Sequence, residues 1–129
     1  MDKNISEVIK QAKTDGKITA VALFGSSLKG KGRDIDICIF MDKKYSNLEM
    51  SKKQLDFMKN AKSNFDIQIF QQLPIYIRMR ILKEGRILLD KNPEFLYNLA
   101  FDTIKEFEFF RKSYEIYLEE VKNGSRKKY

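Results

Sequence analysis

Hydrophobic residues recur along this chain at two spacings, each typical of one kind of secondary structure. Ile5, Val8, Ile9 and Ala12 follow the period of a helix, whereas residues 18–24 form a short, partly β-branched apolar run typical of a buried strand. The pattern predicts helices over residues 4–14, 47–62, 74–83 and 93–122, and strands over residues 18–24, 34–41, 65–70 and 86–90. Because the strands alternate with helices, we expect an α/β or α+β sheet domain that carries a helical extension.

The length of 129 residues fits a single domain with a substantial core. We expect the core of this domain over residues 1–91 and a C-terminal helical extension of the same domain over residues 92–122. Asn123 and Gly124 follow the last periodic residue, so residues 123–129 are predicted to be a flexible tail.

The composition excludes several chemistries. The chain has no histidine and one cysteine, Cys38, which rules out serine–histidine and cysteine–histidine mechanisms, histidine-ligated zinc and an intrachain disulfide. No apolar run reaches membrane-spanning length, and we expect a cytoplasmic protein without a membrane partner. The formal net charge of +7 favours phosphorylated or polyanionic ligands, although the scattered lysines equally fit a solubilising surface.

The glycines between residues 25 and 32 partly match the P-loop and the dinucleotide-binding fingerprint, but neither motif is complete. A P-loop needs Ser or Thr after its lysine and then a helix, whereas here Gly32 follows Lys31 and the next element is a strand. The dinucleotide-binding fingerprint fails as well, because Ile35 stands where its third glycine is needed.

Asp34 and Asp36 indicate a different chemistry. Residues two apart in a strand share a face, so both carboxylates point the same way. Carboxylates this close repel each other unless a cation lies between them, and Mg²⁺ commonly binds through one or two carboxylates plus substrate phosphates. The pair alone fits a magnesium site and a solvent-facing Asp-x-Asp strand about equally well.

Two neighbouring segments favour the magnesium site. Gly25 and Ser26 end a buried strand, where a glycine lets a phosphate approach the backbone and a hydroxyl can donate to it. Asp66 lies between apolar residues in a strand that we expect to be central, where an unpaired carboxylate would be costly. If this strand lies beside the preceding one, Asp66 joins Asp34 and Asp36 in one cluster, and two-metal phosphoryl chemistry becomes geometrically feasible.

This order of elements resembles the DNA polymerase β nucleotidyltransferase superfamily. The resemblance rests on a strand that ends in Gly25-Ser26, on Asp34 and Asp36 in the next strand and on Asp66 in a later strand. The short chain, with its Leu-Pro turn and Arg-x-Arg-Ile-Leu helix after the third strand, looks like the minimal nucleotidyltransferases of bacteria and archaea, including their antitoxin members.

The resemblance covers about residues 5–90 and implies both a fold and an activity. The implied fold is the α+β nucleotidyltransferase fold, with a mixed sheet of about four strands flanked by helices and a long C-terminal helix. The implied activity is transfer of a nucleoside monophosphate, expected to be AMP from ATP, to a hydroxyl acceptor.

Site residues are implied in the same way. The implied ligands of Mg²⁺, with two ions feasible, and the catalytic residues are Asp34, Asp36 and Asp66, and the implied nucleotide-binding residues are Gly25, Ser26, Ser27 and Lys29. One departure from the family pattern concerns the loop after Ser26, which is short and lacks the arginine that often follows Gly-Ser. Ser27 takes that place, and Lys29 supplies positive charge.

A protein partner is also implied, because minimal nucleotidyltransferases are often antitoxins paired with a small helical HEPN toxin that they adenylylate on tyrosine. We therefore expect a HEPN-like toxin or a second copy of the chain as partner. Two alternatives stay open: a catalytically silent antitoxin that acts by binding alone, and a basic nucleic-acid-binding domain. Against nucleic acid, no strand shows aromatic residues interleaved with Lys or Arg.

The predicted C-terminal helix carries more apolar residues than one stripe requires. Its apolar residues are Phe95, Leu96, Leu99, Phe101, Ile104, Phe107, Phe109, Phe110, Tyr114, Tyr117, Leu118 and Val121. One stripe would satisfy packing on the sheet of its own domain. The excess predicts a face for a partner or for self-association.

Overall fold

The computed structural model describes residues 3–25, 34–61 and 64–127. Within these residues, helices and strands alternate in the predicted order. The elements are α1 Lys3–Thr14, β1 Ile18–Phe24, β2 Ile35–Met41, α2 Asn47–Lys59, β3 Phe65–Ile69, α3 Ile75–Glu84, β4 Arg86–Asp90 and α4 Pro93–Lys127, with a short 3₁₀ turn at Phe70–Gln72. The α+β fold with a long C-terminal helix is therefore confirmed.

The four strands form one mixed sheet in the order β3-β2-β1-β4. Strand β1 is antiparallel to both β2 and β4, whereas β2 and β3 are parallel. Parallel neighbours need a crossover connection, and α2 provides it. The expectation that the strand of Asp66 is central was wrong: β3 is one of the two edge strands, and the Asp66 side chain is exposed.

Each face of the sheet is covered by two helices. The alternation of Ile37 and Ile39 with Cys38 and Phe40 in β2 divides the core, since neighbouring residues of a strand point to opposite faces. One cluster joins the first pair to α1 and α2, and the other joins the second pair to α3 and α4. Asp36, two residues before Cys38, consequently lies on the face that α3 and α4 cover.

Beyond the end of β3, a side chain continues the pairing of β2. Gln71 accepts a hydrogen bond from the backbone N–H of Met41 at 3.1 Å, and its Nε2 donates to the Met41 carbonyl at 2.8 Å. Met41 is only 1% exposed, so its backbone groups need such partners. The side-chain amide of Gln71 thus replaces a strand residue where β3 has ended.

The helix α4 is 35 residues long, about 50 Å at 1.5 Å per residue. Its first turns pack on the sheet face through Leu96 and Leu99. Further along, Glu106 forms a salt bridge with Arg78 of α3, with 2.7 Å between Nη2 of the arginine and Oε2 of the glutamate. The helix continues to Lys127, five residues past the end predicted at residue 122. The physical reason is that Gly124 does not take the positive φ of a left-handed helix cap.

Most of α4 after residue 103 lies outside the domain core. Its exposed large apolar residues are Tyr97, Phe101, Ile104, Phe109, Phe110, Tyr114, Ile116, Tyr117, Leu118 and Val121. The predicted excess of apolar surface is therefore present. Within the described ranges, no helix combines the length and apolarity that a membrane crossing requires.

Candidate active site

Asp36 and Asp66 face each other across the parallel strands β2 and β3. Their Cα atoms are partners in the register, so both side chains project from the face covered by α3 and α4. Asp36 is half-buried, whereas Asp66 is exposed on the edge strand. The two strands therefore bring together residues that lie 30 positions apart in the chain.

The pKa of Asp36 is raised above its ordinary value of 3.8. Burial is the largest cause, the negative charges of Asp66 and Asp34 come next, and a hydrogen bond with Asp66 contributes as well. A hydrogen bond between two carboxyl groups requires a proton on one of them, since an ionised carboxylate only accepts. This end of the sheet consequently favours a positive charge, supplied by a proton or by a cation.

Asp34 is exposed and lies directly before β2. Its charge is among the causes that raise the pKa of Asp36, which puts Asp34 close to the carboxylate pair. Among the described residues, however, no three histidine, cysteine, aspartate or glutamate side chains are gathered closely enough to hold a metal ion. The structure pairs Asp36 with Asp66, and the assignment of all three aspartates to one Mg²⁺ stays a prediction.

Gly25 follows β1 directly and lies against the carboxylate of Asp36. Its φ of +68° lies in the left-handed region, which L-residues with a side chain rarely adopt. A Cβ at this position would lie 2.5 Å from Oδ2 of Asp36, so the hydrogen of glycine is what leaves room for the carboxylate. The other residues predicted to bind nucleotide, Ser26, Ser27 and Lys29, lie outside the described residues.

These side chains fit a divalent cation. Carboxylate oxygens are the ligands that Mg²⁺ prefers. Burial first, and then the negative charges of Asp66 and Asp34, raise the pKa of Asp36, and a bound cation would compensate that negative charge. Gly25 adds a backbone that approaches the pair without a side chain in between. The pair with its glycine turn can therefore hold a cation and leave room for a phosphate at the same end of the sheet.

Gln68, which the sequence pattern did not single out, contacts the carboxylate pair. Its Nε2 donates a hydrogen bond to Oδ1 of Asp66 at 2.9 Å. Gln68 lies two positions after Asp66 in the same strand, so both side chains share one face. The alternation of Asp66 and Gln68 with Phe65, Ile67 and Ile69 was the signal that could have identified it.

Comparison with known proteins defines the class of this protein. The family described as "Polymerase beta, Nucleotidyltransferase" matches residues 3–94, which is more than half of the chain. By class the protein is a nucleotidyltransferase. The chain belongs to the polymerase beta nucleotidyltransferase family.

One relative is similar in sequence. It is named as a candidate protein adenylyltransferase from Methanocaldococcus jannaschii and is 33% identical over 75 residues. The match spans 56% of this chain and 56% of that relative, so it reaches only about half of the relative's own length.

Solved structures share the fold of this chain at low sequence identity. One matching chain comes from a structure of a tri-AMPylated Shewanella oneidensis HEPN toxin in complex with MNT antitoxin, with a TM-score of 0.68 and 18% identity over 92% of this chain and 95% of that chain. An MntA–HepT toxin–antitoxin structure matches with a TM-score of 0.67, at 17% identity over 92% and 96%. A toxin–antitoxin structure with AMP-PNP matches with a TM-score of 0.67, at 16% identity over 92% and 95%.

Proposed function

We propose that this protein is a Mg²⁺-dependent adenylyltransferase that transfers AMP from ATP to a hydroxyl group of a HEPN-type toxin, for which it is the antitoxin. The observation that carries the proposal is the pairing of Asp36 and Asp66 beside Gly25 at one end of the sheet. The family assignment, the name of the M. jannaschii relative and the fold shared with toxin–antitoxin structures support it. The place of action that we expect is the cytoplasm.

In the proposed reaction, the hydroxyl oxygen of the acceptor attacks the α-phosphorus of ATP. The bond from this phosphorus to the oxygen that bridges it to the β-phosphorus breaks, and pyrophosphate leaves. Asp66, exposed at the edge of the sheet, orients the hydroxyl and takes its proton as general base. Mg²⁺ bound by Asp34, Asp36 and Asp66 would neutralise the charge that develops on the triphosphate.

Gly25 and Asp36 have complementary tasks in this reaction. The left-handed turn at Gly25 keeps side-chain atoms away from Asp36 and lets the triphosphate approach the backbone. Half-burial of Asp36 strengthens its interaction with a cation, since charges interact more strongly away from water. Both effects depend on the register of β1 and β2, in which Phe24 pairs with Asp36.

The test is to incubate the protein with Mg²⁺, ATP labelled at the α-phosphate and the candidate toxin. Label is expected to appear on the toxin and to be absent when Mg²⁺ is chelated or when ATP is labelled only at the γ-phosphate. Transfer from the γ-phosphate, or no transfer to any hydroxyl-bearing partner, would refute the proposed reaction.

Acceptor recognition is assigned to α4 in this proposal. The exposed apolar residues of the helix, among them Phe109 at 74% and Tyr117 at 60% exposure, are available to a protein partner. Replacement of either residue by serine is expected to weaken partner binding by at least about tenfold, because buried aromatic residues dominate interface energies. The matched control is Lys112→Ser on the same exposed part of the helix. Unchanged partner affinity in both aromatic variants would show that the contact lies elsewhere.

An antitoxin that acts by binding alone is the second candidate. The observation that favours it is the same exposed face of α4, since a partner could dock there without any chemistry at the carboxylates. A protein that carries both Asp34→Asn and Asp36→Asn separates the two functions. If this double variant still neutralises the toxin as well as the unchanged protein does, binding alone is the function.

A further inference from the structure

The general base of the proposed reaction lies in an exposed position. Asp66 is on the edge strand of the sheet, and its side chain is accessible to solvent. Exposed side chains change rotamer within picoseconds to nanoseconds. Catalysis, in contrast, needs a carboxylate held close to one geometry, because a displacement of about 1 Å can cost about a hundredfold in rate.

Gln68 restrains this side chain. Its Nε2 donates to Oδ1 of Asp66 at 2.9 Å, within the normal range for such a hydrogen bond. A carboxylate has two oxygens, so the contact at Oδ1 leaves Oδ2 for a cation or for the acceptor hydroxyl.

Gln68 is itself well anchored. Its Cα is the register partner of Cys38, which is fully buried in β2. The residues on either side, Ile67 and Ile69, are fully buried on the opposite face. The Gln68 side chain therefore projects from a fixed part of the strand and is half-buried.

The chemistry of an amide suits this position. It donates a hydrogen bond without adding charge to a site that already contains the paired carboxylates of Asp36 and Asp66. A lysine or arginine could donate as well, but its positive charge would compete with the cation that these carboxylates are expected to hold.

We propose that Gln68 is a positioning residue, which fixes the Asp66 carboxylate so that it can bind the metal ion and accept the proton of the acceptor hydroxyl. The inference rests on the proposed function and adds a residue outside the aspartate set. Hydrogen-bond partners of metal-binding carboxylates typically contribute 10–100-fold to metal affinity or activity.

The test compares Gln68→Leu with a matched control, Gln54→Leu. Gln54 of α2 donates from Nε2 to the carbonyl of Ile67 at 2.6 Å, so the control removes a hydrogen bond to the same strand without touching Asp66. Mn²⁺ is the probe, and its affinity is measured by electron paramagnetic resonance in the presence of AMP-PNP. The kcat and the KM for ATP of the transfer reaction are measured in parallel.

For Gln68→Leu, we expect Mn²⁺ affinity to fall about tenfold or more and kcat to fall by a similar factor, with little change in the KM for ATP. For Gln54→Leu, both quantities should stay within about twofold of the unchanged protein, even if its melting temperature falls. Equal losses in the two variants would assign Gln68 a merely structural role in β3 and overturn the proposal. Unchanged Mn²⁺ affinity in Gln68→Leu, or no Mn²⁺ binding by the unchanged protein, would overturn it as well.

The Mn²⁺ measurement separates this proposal from the proposed function. If the unchanged protein binds Mn²⁺ but transfers AMP to no acceptor, the proposed reaction fails. A weaker affinity of Gln68→Leu alone would then still establish that Gln68 positions the carboxylate.

Discussion

Substitution of Gly25 by alanine tests how closely the turn after β1 is fitted to the carboxylate pair. The added Cβ would lie 2.5 Å from Oδ2 of Asp36, whereas ordinary contacts between such atoms are about 3.5 Å. The carboxylate must therefore move by about 0.5–1 Å, or the turn must change its conformation. A shift of this size at a reacting centre is expected to lower kcat by about a hundredfold.

The effect on stability is predicted to be smaller. The φ of +68° costs a residue with a Cβ about 1–2 kcal/mol. Alanine also lowers the conformational entropy of the unfolded chain, which stabilises the folded state by about 0.4–1 kcal/mol. The net loss of about 1 kcal/mol corresponds to a melting temperature lower by about 3–5 °C in a domain of this size.

Gly16→Ala is the matched control, because a Cβ at Gly16 meets no atom within 4 Å and the φ of Gly16 is not positive. Transfer kinetics and thermal unfolding are measured for both variants. The control should keep its kcat within about twofold and its stability within about 0.5 kcal/mol. If Gly25→Ala keeps nearly full activity, the contact between this turn and Asp36 has no part in catalysis.

Three further predictions concern the carboxylates and the end of β3. In a double variant, Asp34→Asn with Asp36→Asn, transfer should be abolished while the metal-free protein folds with equal or slightly higher stability, since repulsion is relieved; full transfer activity would contradict this. In EDTA, folded Asp36 keeps its proton to a higher pH than in the unfolded chain, because its pKa is raised. Its contribution to stability is thus present at low pH and lost as pH rises above 3.8. Over this range, the melting temperature of Asp36→Asn should rise relative to that of the unchanged protein. If the two melting temperatures keep a constant difference as pH rises, the reasoning is wrong. Gln71→Ala should lower the free energy of unfolding by about 2 kcal/mol in urea titrations, because two backbone groups of Met41 lose their partner; a loss under about 0.5 kcal/mol would mean that water replaces the amide.

The hydrophobic pattern predicted most of the fold because each element is marked locally. The apolar run of residues 18–24 and the helical spacing in α1 are visible from neighbouring residues alone. The structure contains the predicted strand and helix at these positions. The end of α4 was harder to predict. Gly124 is compatible with either a cap or a continuing helix, and the choice depends on a φ angle that sequence does not specify.

The site was predictable in its residue types but not in its geometry. The alternation of Asp34 and Asp36 with isoleucines indicated a shared face from sequence alone. The pairing of Asp36 with Asp66 depends on the register between strands, which is set by tertiary packing. For the same reason, the edge position of β3 was missed, and the polar residues Asp66 and Gln68 on one face of the strand were not used as a sign of exposure.

The edge position of β3 changes how the acceptor can reach the site. A carboxylate buried in a central strand would require a pocket to admit a hydroxyl group, whereas Asp66 is open to solvent at the margin of the sheet. The side chains of Asp36 and Asp66 project from the face covered by α3 and α4, so the exposed part of α4 extends from that same layer. Glu106 of α4 lies beside Lys43 and Lys44, which follow the opposite end of β2 from Asp36, so a partner docked on α4 would have to extend along the sheet to reach Asp66. Under the proposed function, the surface of the partner itself would then complete the site at the open edge of β3.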